Sequence, residues 1–486
     1  MSFPLAPRFV LGVFVLFPLA FISQDAEAQL IAALPTDQTT SLPEQPVPFL
    51  ISARPVPQPS LRFQLLPSVA DQRPGNATVW YGKVKAEQNR FFSDRETWDQ
   101  IHQALDSPLD RMGDFEILNY LAGENNTLFY FLEKGGQCEV CNWQLPIRDG
   151  QFYLILLPEI QETRTFARLL AARAKKQIFD RDYDEAIRTL RCGFALGKNV
   201  SHSPTIVSGL VGQAIVGMML EQIELLIQQP DSPNLYWALT SLPANLAAPD
   251  MGMRAERDAI LLSVPELKKV EQLGGDADYW NQQFDRLMQQ VDFLGSQRRR
   301  TPLTQEAAAR SLLVRGYPLA RDVLLKRGWN KERIEAMPVA QAVLAAALYQ
   351  QQILSDQRLR RYYLSYPEAE AARKAAGREG KKINGHPAVL PLDEFFSPAV
   401  DAVITVRTRL ERRIARLRVF EALRIYAAEH GSLPDNLSDI RSVAIPTDPA
   451  TGTPFDYQLK EGVAHLWGPS LPGGPSHFEL RLRNSP

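Results

Sequence analysis

The sequence predicts a mainly α protein, a multi-helix body with a small C-terminal β element. Three observations carry this. From Ile160 onward, apolar residues recur at steps of three and four through most of the chain. The longest such stripe is Val403, Val406, Leu410, Ile414, Leu417, Phe420 and Leu423. It defines one amphipathic helix over about 399–430, with Gly431 placed for a left-handed cap. Beyond it the period changes. IPTDPATGTPFDYQLKEGVAHLWG reads as turn, strand, hairpin and strand. Asp448-Pro449 opens the turn and Gly452 can take positive φ without a steric cost.

In chain order, residues 1–28 read as a secretory signal peptide. Arg8 precedes the apolar run FVLGVFVLFPLAFI, and Ala26-Glu27-Ala28 offers the small-x-small cleavage pattern. The run is shorter than the roughly 20 residues a spanning helix needs, so an uncleaved anchor is the alternative. Export to the periplasm or the exterior is the expectation, with the mature chain starting at Gln29. Residues 29–60 are rich in Pro and form a leader or linker, with Phe49, Leu50 and Ile51 able to dock on the body. The helical body spans 61–398. Short helices are expected at 77–88, 95–105 and 113–122, and a further element at 126–134. QFYLILL (151–157) is ambiguous between strand and extended segment. A helical hairpin covers 167–197 and one long apolar helix 206–229. More helices follow at 232–241, 252–271, 277–295, 304–315, 317–326, 331–335, 338–360 and 366–376. A Gly, Lys and Pro-containing loop fills 377–398. Residues 399–486 hold the long helix and the β element.

Composition bounds the function classes. The chain has 486 residues, 54 basic and 55 acidic. Losing Arg8, Asp25 and Glu27 with the signal leaves the remainder balanced. No global field favours nucleic acid or an anionic membrane, and membrane contact is expected only through an uncleaved signal segment. The three cysteines, Cys138, Cys141 and Cys192, are too few for a disulfide framework. A chain this long can rely on its core, so this does not contradict export.

Three resemblances add to this reading. ARLLAARAKKQIFDRDYDEAIRTLRCGFALG (167–197) resembles a tetratricopeptide repeat, with Ala174 and Ala186 at the small positions where its helices touch. It covers one unit, which implies a helical hairpin rather than a peptide-capturing array. The segment over about 403–467 is similar to the C-terminal region of type II secretion pseudopilins. Pro446, Asp448, Pro449, Gly452, Pro454, Phe455 and Tyr457 carry that likeness. Most of the mature chain resembles a set of exported proteins of planctomycete bacteria. The segments LRFQLLPSVADQRPGNA, CNWQLP, SPNLYWALTSLP, EAMPVAQAVL and LRIYAAEHGSLPDNLSDI carry it. That resemblance implies export and a mainly helical body, and it supplies no catalytic residues.

Candidate chemistry is sparse. Cys138 and Cys141 form a CxxC followed by Asn142, Trp143 and Pro146 rather than by a helix. A disulfide between them, or a packed thiol pair, is favoured over redox or metal chemistry. None of the six histidines pairs at helical ligand spacing, and there is no HExxH, GxSxG, P-loop or dinucleotide glycine pattern. No catalytic residue, cofactor or metal is implied. Arg407, Arg409, Arg412, Arg413, Arg416 and Arg418 form a dense cationic face on the long helix. Arg409, Arg412, Arg413 and Arg416 are the candidate face for an anionic partner. The competing reading pairs them with carboxylates elsewhere in this neutral chain. On an exposed face, Arg412→Ala would change stability by less than about 0.5 kcal/mol.

The expected function is therefore an exported, non-catalytic interaction or scaffold protein of the cell envelope with a protein partner there. The alternatives are an envelope hydrolase whose site is assembled from distant residues, and a secretion-associated pseudopilin-like component.

Overall fold

The computed structural model describes residues 45–123, 126–150, 152, 155–295, 302–376, 383, 387–390, 392, 400–472 and 474–483. The expected signal peptide and most of the 377–398 loop lie outside them.

The described chain opens with strand β1 (Val47–Ile51) and a second strand, β2 (Arg73–Asn76). Five helices follow: α1 (Ala77–Glu87), α2 (Asn89–Ser93), α3 (Arg95–Asp106), α4 (Glu116–Ala122) and α5 (Thr127–Gly136). Asn76 caps α1 and Asn126 caps α5, each side-chain oxygen accepting the backbone N–H two residues on. Strand β3 (Cys138–Val140) pairs in parallel with β2.

Next come the long central helices, α6 (Pro158–Phe179), α7 (Tyr183–Ser201) and α8 (Ile206–Ile227). Helices α6 and α7 make the expected hairpin, with Asp182 capping α7 and Thr205 capping α8. The α7–α8 crossing is made close by small residues. Gly197, Ser201 and Gly212 bring the two backbones nearly into contact, and Met219 packs over Gly193. Helix α8 is long and apolar enough to cross a membrane, but most of it is buried in this body.

The next expected helix, 252–271, is divided. After α9 (Tyr236–Thr240), the chain forms α10 (Asp250–Arg257), α11 (Ala259–Ser263) and a short 3-10 turn over Pro265–Lys269. Pro265 has no N–H to continue the helical ladder. The opposite happens at 304–326. Two helices were expected around Gly316-Tyr317-Pro318, and one continuous helix is found. Following α12 (Ala277–Gly295), α13 runs over Pro302–Lys326 with Pro318 inside it. Packing overrides the local cost there: Ala320, Val323 and Leu324 are buried, and Gly316 sits against Val343 and the Val389 carbonyl. Helices α14 (Lys331–Glu335) and α15 (Val339–Tyr362) complete a second core with α11, α12 and α13, while α16 (Tyr366–Ala376) packs through Ala369 in a smaller cluster with Tyr362 and Val403.

Helix α17 (Val400–His430) lies across α8, and Gly431 after it has φ +75°. A 3-10 turn over Leu437–Asp439 leads to β4 (Asp456–Lys460), β5 (Val463–Trp467) and β6 (His477–Leu482). The C-terminal element is a mixed four-stranded sheet in the order β1-β6-β5-β4. Strand β1 pairs in parallel with β6, Val47 opposite Phe478 and Ile51 opposite Leu482. The Pro-rich segment therefore ceases to be a linker by Val47. Phe49 and Ile51 are buried on the α17 side, and Phe49 packs on Phe420 with ring centroids 4.8 Å apart.

Candidate functional site

The arginines of α17 occupy an interior seam. Arg413 chelates Glu224 of α8 through Nε (2.8 Å) and Nη2 (2.7 Å) and donates to the Gly217 carbonyl. Arg416 donates to the same Glu224 at 3.0 Å and lies 4.0 Å above the Phe478 ring. Burial pushes the Glu224 carboxyl up, but Arg413 and Arg416 outweigh it and hold the group below the usual range. Glu221 is the counter-case, raised mainly by burial although Arg413 is 3.7 Å away. Arg409 is partly buried one turn before Arg413.

Arg412 corrects an expectation. Its side chain is 9% exposed and pairs at 3.0 Å with Asp448, which is 1% exposed. It also donates to the Pro469 carbonyl at 2.6 Å. Asp448 is held by its own turn: its carboxylate accepts the Ala450 N–H, and its carbonyl accepts those of Thr451 and Gly452. Gly468 is required there, because a β-carbon would strike Arg412 and Asp448. The Asp-Pro turn is thus an anchor for the long helix, and Arg412 is not on an exposed face.

Three further buried cations, unremarked in the sequence, bind helix ends together. Lys175 of α6 donates to the carbonyls of Ala104, Leu105 and Ser107, satisfying the open C-terminus of α3. Burial lowers its pKa to about 8. Arg173 does the same for α4 through the Leu121 and Gly123 carbonyls, its guanidinium 4.3 Å over Phe129. Arg424, fully buried with Glu421, reaches the carbonyls of Ser52, Ser232 and Pro233. It ties the N-terminal segment to the body.

All three cysteines are free thiols. The expected Cys138–Cys141 bridge is absent. The thiol of Cys138 donates to the Lys134 carbonyl at 3.4 Å. Cys138 begins an extended strand, which advances about 3.3 Å per residue. Three such steps exceed the roughly 7 Å between α-carbons that a disulfide spans. Burial pushes both Cys141 and Cys192 up to about 12, the reverse of an activated thiol. The β5–β6 register brings His465 and His477 together, ring nitrogens 3.2 Å apart, an adjacency their spacing did not reveal. Burial lowers His477, with His465 adding to it. Among the described residues, no group of three or more His, Cys, Asp or Glu side chains is disposed to hold a metal ion. One cavity of about 180 Å³ lies beside Arg257, Ile260 and Gln351. Ligand pockets usually enclose roughly 300–1,000 Å³.

A different kind of site lies on the outer face of α1 and α5. The rings of Trp80, Tyr130 and Phe131 form a triad, with centroids 6.4, 6.2 and 5.6 Å apart. The Lys83 ammonium sits 4.7 Å over Trp80, and that of Lys134 sits 5.4 Å over Tyr130. Among the described residues, neither lysine makes an ion pair; Lys134 also donates to Gln137 at 3.4 Å. Tyr130 is 50% exposed and the adjoining Val79 is 58% exposed. The face is firmly held. Gly135 lets the Tyr81 ring press against α5, and Asn199 bonds the Tyr81 hydroxyl at 2.9 Å. Asn76 exchanges hydrogen bonds with the Asn142 backbone, fixing the start of α1 to the strand after α5. The signal in the sequence was Trp80-x-x-Lys83 and Tyr130-x-x-x-Lys134, the spacings at which helical side chains meet. It was invisible until α1 and α5 were known to lie side by side.

No protein-family model, no curated protein and no solved structure matches the chain.

Proposed function

We propose that this chain is an exported, non-catalytic interaction protein of the cell envelope, and that the outer face of α1 and α5 is its docking surface. The observation that carries this reading is a contrast. The arginines Arg412, Arg413 and Arg416 are spent on internal pairs, whereas Lys83 and Lys134 stand unpaired over three rings at the surface. Clustered aromatic side chains are enriched where surfaces bind, and a cation over a ring face is a contact that desolvation strengthens. Helices α6 and α7 are read here as a tetratricopeptide-type pair serving as framework; Ala174 and Ala186 are both fully buried. The unit of α17, the Asp-Pro turn and the sheet supports a pseudopilin-like origin for the C-terminal part.

The test is a photo-reactive benzophenone residue at Val79 in the native envelope, with Val314, which is 74% exposed on α13, as the control position. A discrete adduct at Val79 and none at Val314 is the expected result. No adduct at Val79, or equal adducts at both, overturns the reading.

A further inference from the structure

We propose that the α1–α5 face binds an anionic lipid surface. This rests on the reading of that face as the docking surface and names what docks there. The polar groups over the rings are two ammoniums, which donate only, and the Tyr130 hydroxyl, which can donate; the carboxylate of Glu87 is exposed one turn beyond Lys83. The phosphodiester groups of a lipid surface are acceptors, so the two chemistries complement each other. The rings supply the second half of the match. Trp and Tyr favour the headgroup depth of a bilayer, where one end of the side chain is apolar and the other wet. The Lys83 and Lys134 ammoniums rest over those rings, so charge and aromatic surface are presented together. Val79 adds an exposed aliphatic group.

Shape separates this partner from an acidic protein segment. A peptide partner is usually seated in a groove. Here the lysines cover the rings instead of flanking a cleft, and the cavity beside Arg257, Ile260 and Gln351 has neither of them in its lining. The face is also firmly backed: Gly135 lets the Tyr81 ring press against α5 and Asn199 holds the Tyr81 hydroxyl, so little backbone order has to be lost on docking. Because the whole chain is nearly neutral, attraction to an anionic surface would come from these two charges rather than from a global field.

The experiment uses the full chain with benzophenone at Val79, mixed with phosphatidylcholine vesicles containing one quarter phosphatidylglycerol. Local cross-linking reads contact at this face. A lipid adduct is expected at Val79 and not at Val314. Replacing both lysines, Lys83→Gln with Lys134→Gln, should lower the adduct roughly 30-fold, the worth of two basic side chains at an anionic surface. Lys83→Arg with Lys134→Arg should retain it, which separates loss of charge from loss of fold. Added salt should weaken it. No adduct at Val79, an equal adduct on pure phosphatidylcholine, or an unchanged adduct in the double Gln variant overturns the proposal. A protein adduct at Val79 in the envelope with no lipid adduct on vesicles leaves the docking surface standing and removes the lipid.

Discussion

Gly212 offers the sharpest test of how the body is built. A β-carbon at this position would lie 2.5 Å from the Gly197 carbonyl oxygen and 2.6 Å from the Ser201 nitrogen. Both are backbone atoms of α7, so neither can rotate aside. Helices α7 and α8 would have to separate by about 1 Å, which forfeits roughly a quarter to a half of the dispersion energy at each facing contact. Overpacking of this kind costs about 1–3 kcal/mol. Alanine recovers about 1 kcal/mol through its higher helix propensity. The net expectation for Gly212→Ala is a loss of about 0–2 kcal/mol. Gly217 is the internal control, on the same helix with nothing within 4 Å of its would-be β-carbon. Gly217→Ala should gain about 1 kcal/mol with no clash. Urea unfolding followed by far-ultraviolet circular dichroism should therefore separate the two variants by about 1–3 kcal/mol, the overpacking cost alone. Equal effects would refute the close α7–α8 contact.

Other outcomes follow from the buried charges and thiols. Arg412→Ala leaves Asp448 buried without its partner and should cost about 3–5 kcal/mol in the same assay; a change under about 0.5 kcal/mol would return Arg412 to an exposed face. Lys175 titrates at about 8 when folded and near its usual higher value when unfolded, so the unfolded state binds the extra proton between them. Its contribution to stability should rise as pH goes from about 8 toward 10, and urea titrations of wild type and Lys175→Met at both ends should converge or part accordingly; parallel behaviour would contradict the shift. Cys141 and Cys192, both pushed up to about 12, should resist iodoacetamide at neutral pH in the folded chain and react on unfolding. Rapid labelling of either in the native protein would refute their burial.

Local chemistry made much of the helical framework readable. The Asp182 cap, Pro158 at the first turn of α6 and Gly431 after α17 are short-range signals, and each lies at an observed helix end. Apolar periodicity located α8 and α17 within a residue or two. It failed where two local rules competed with packing. Pro318 and Gly316 argued for a break, yet burial of the surrounding apolar residues carried α13 through. Strand β1 was hidden for another reason. A run of five residues among prolines carries no pattern of its own, and only β6, more than 400 residues later in the chain, supplies its hydrogen bonds.

The candidate sites divide along the same line. From sequence alone one knows that the chain is nearly neutral, cysteine-poor and mainly helical, because charge, thiol count and period are sums over residues. Whether a given charge faces water is not such a sum. A carboxylate 189 positions away decides that Arg413 is structural, whereas among the described residues no carboxylate pairs with Lys83, which stays at the surface. The cysteine pair, read from its spacing as a bridge or a packed thiol pair, is held as free thiols on the extended backbone where β3 pairs with β2. Composition and period are properties of the chain, while burial and ion pairing depend on which distant elements the fold brings into contact, and only the tertiary structure decided those.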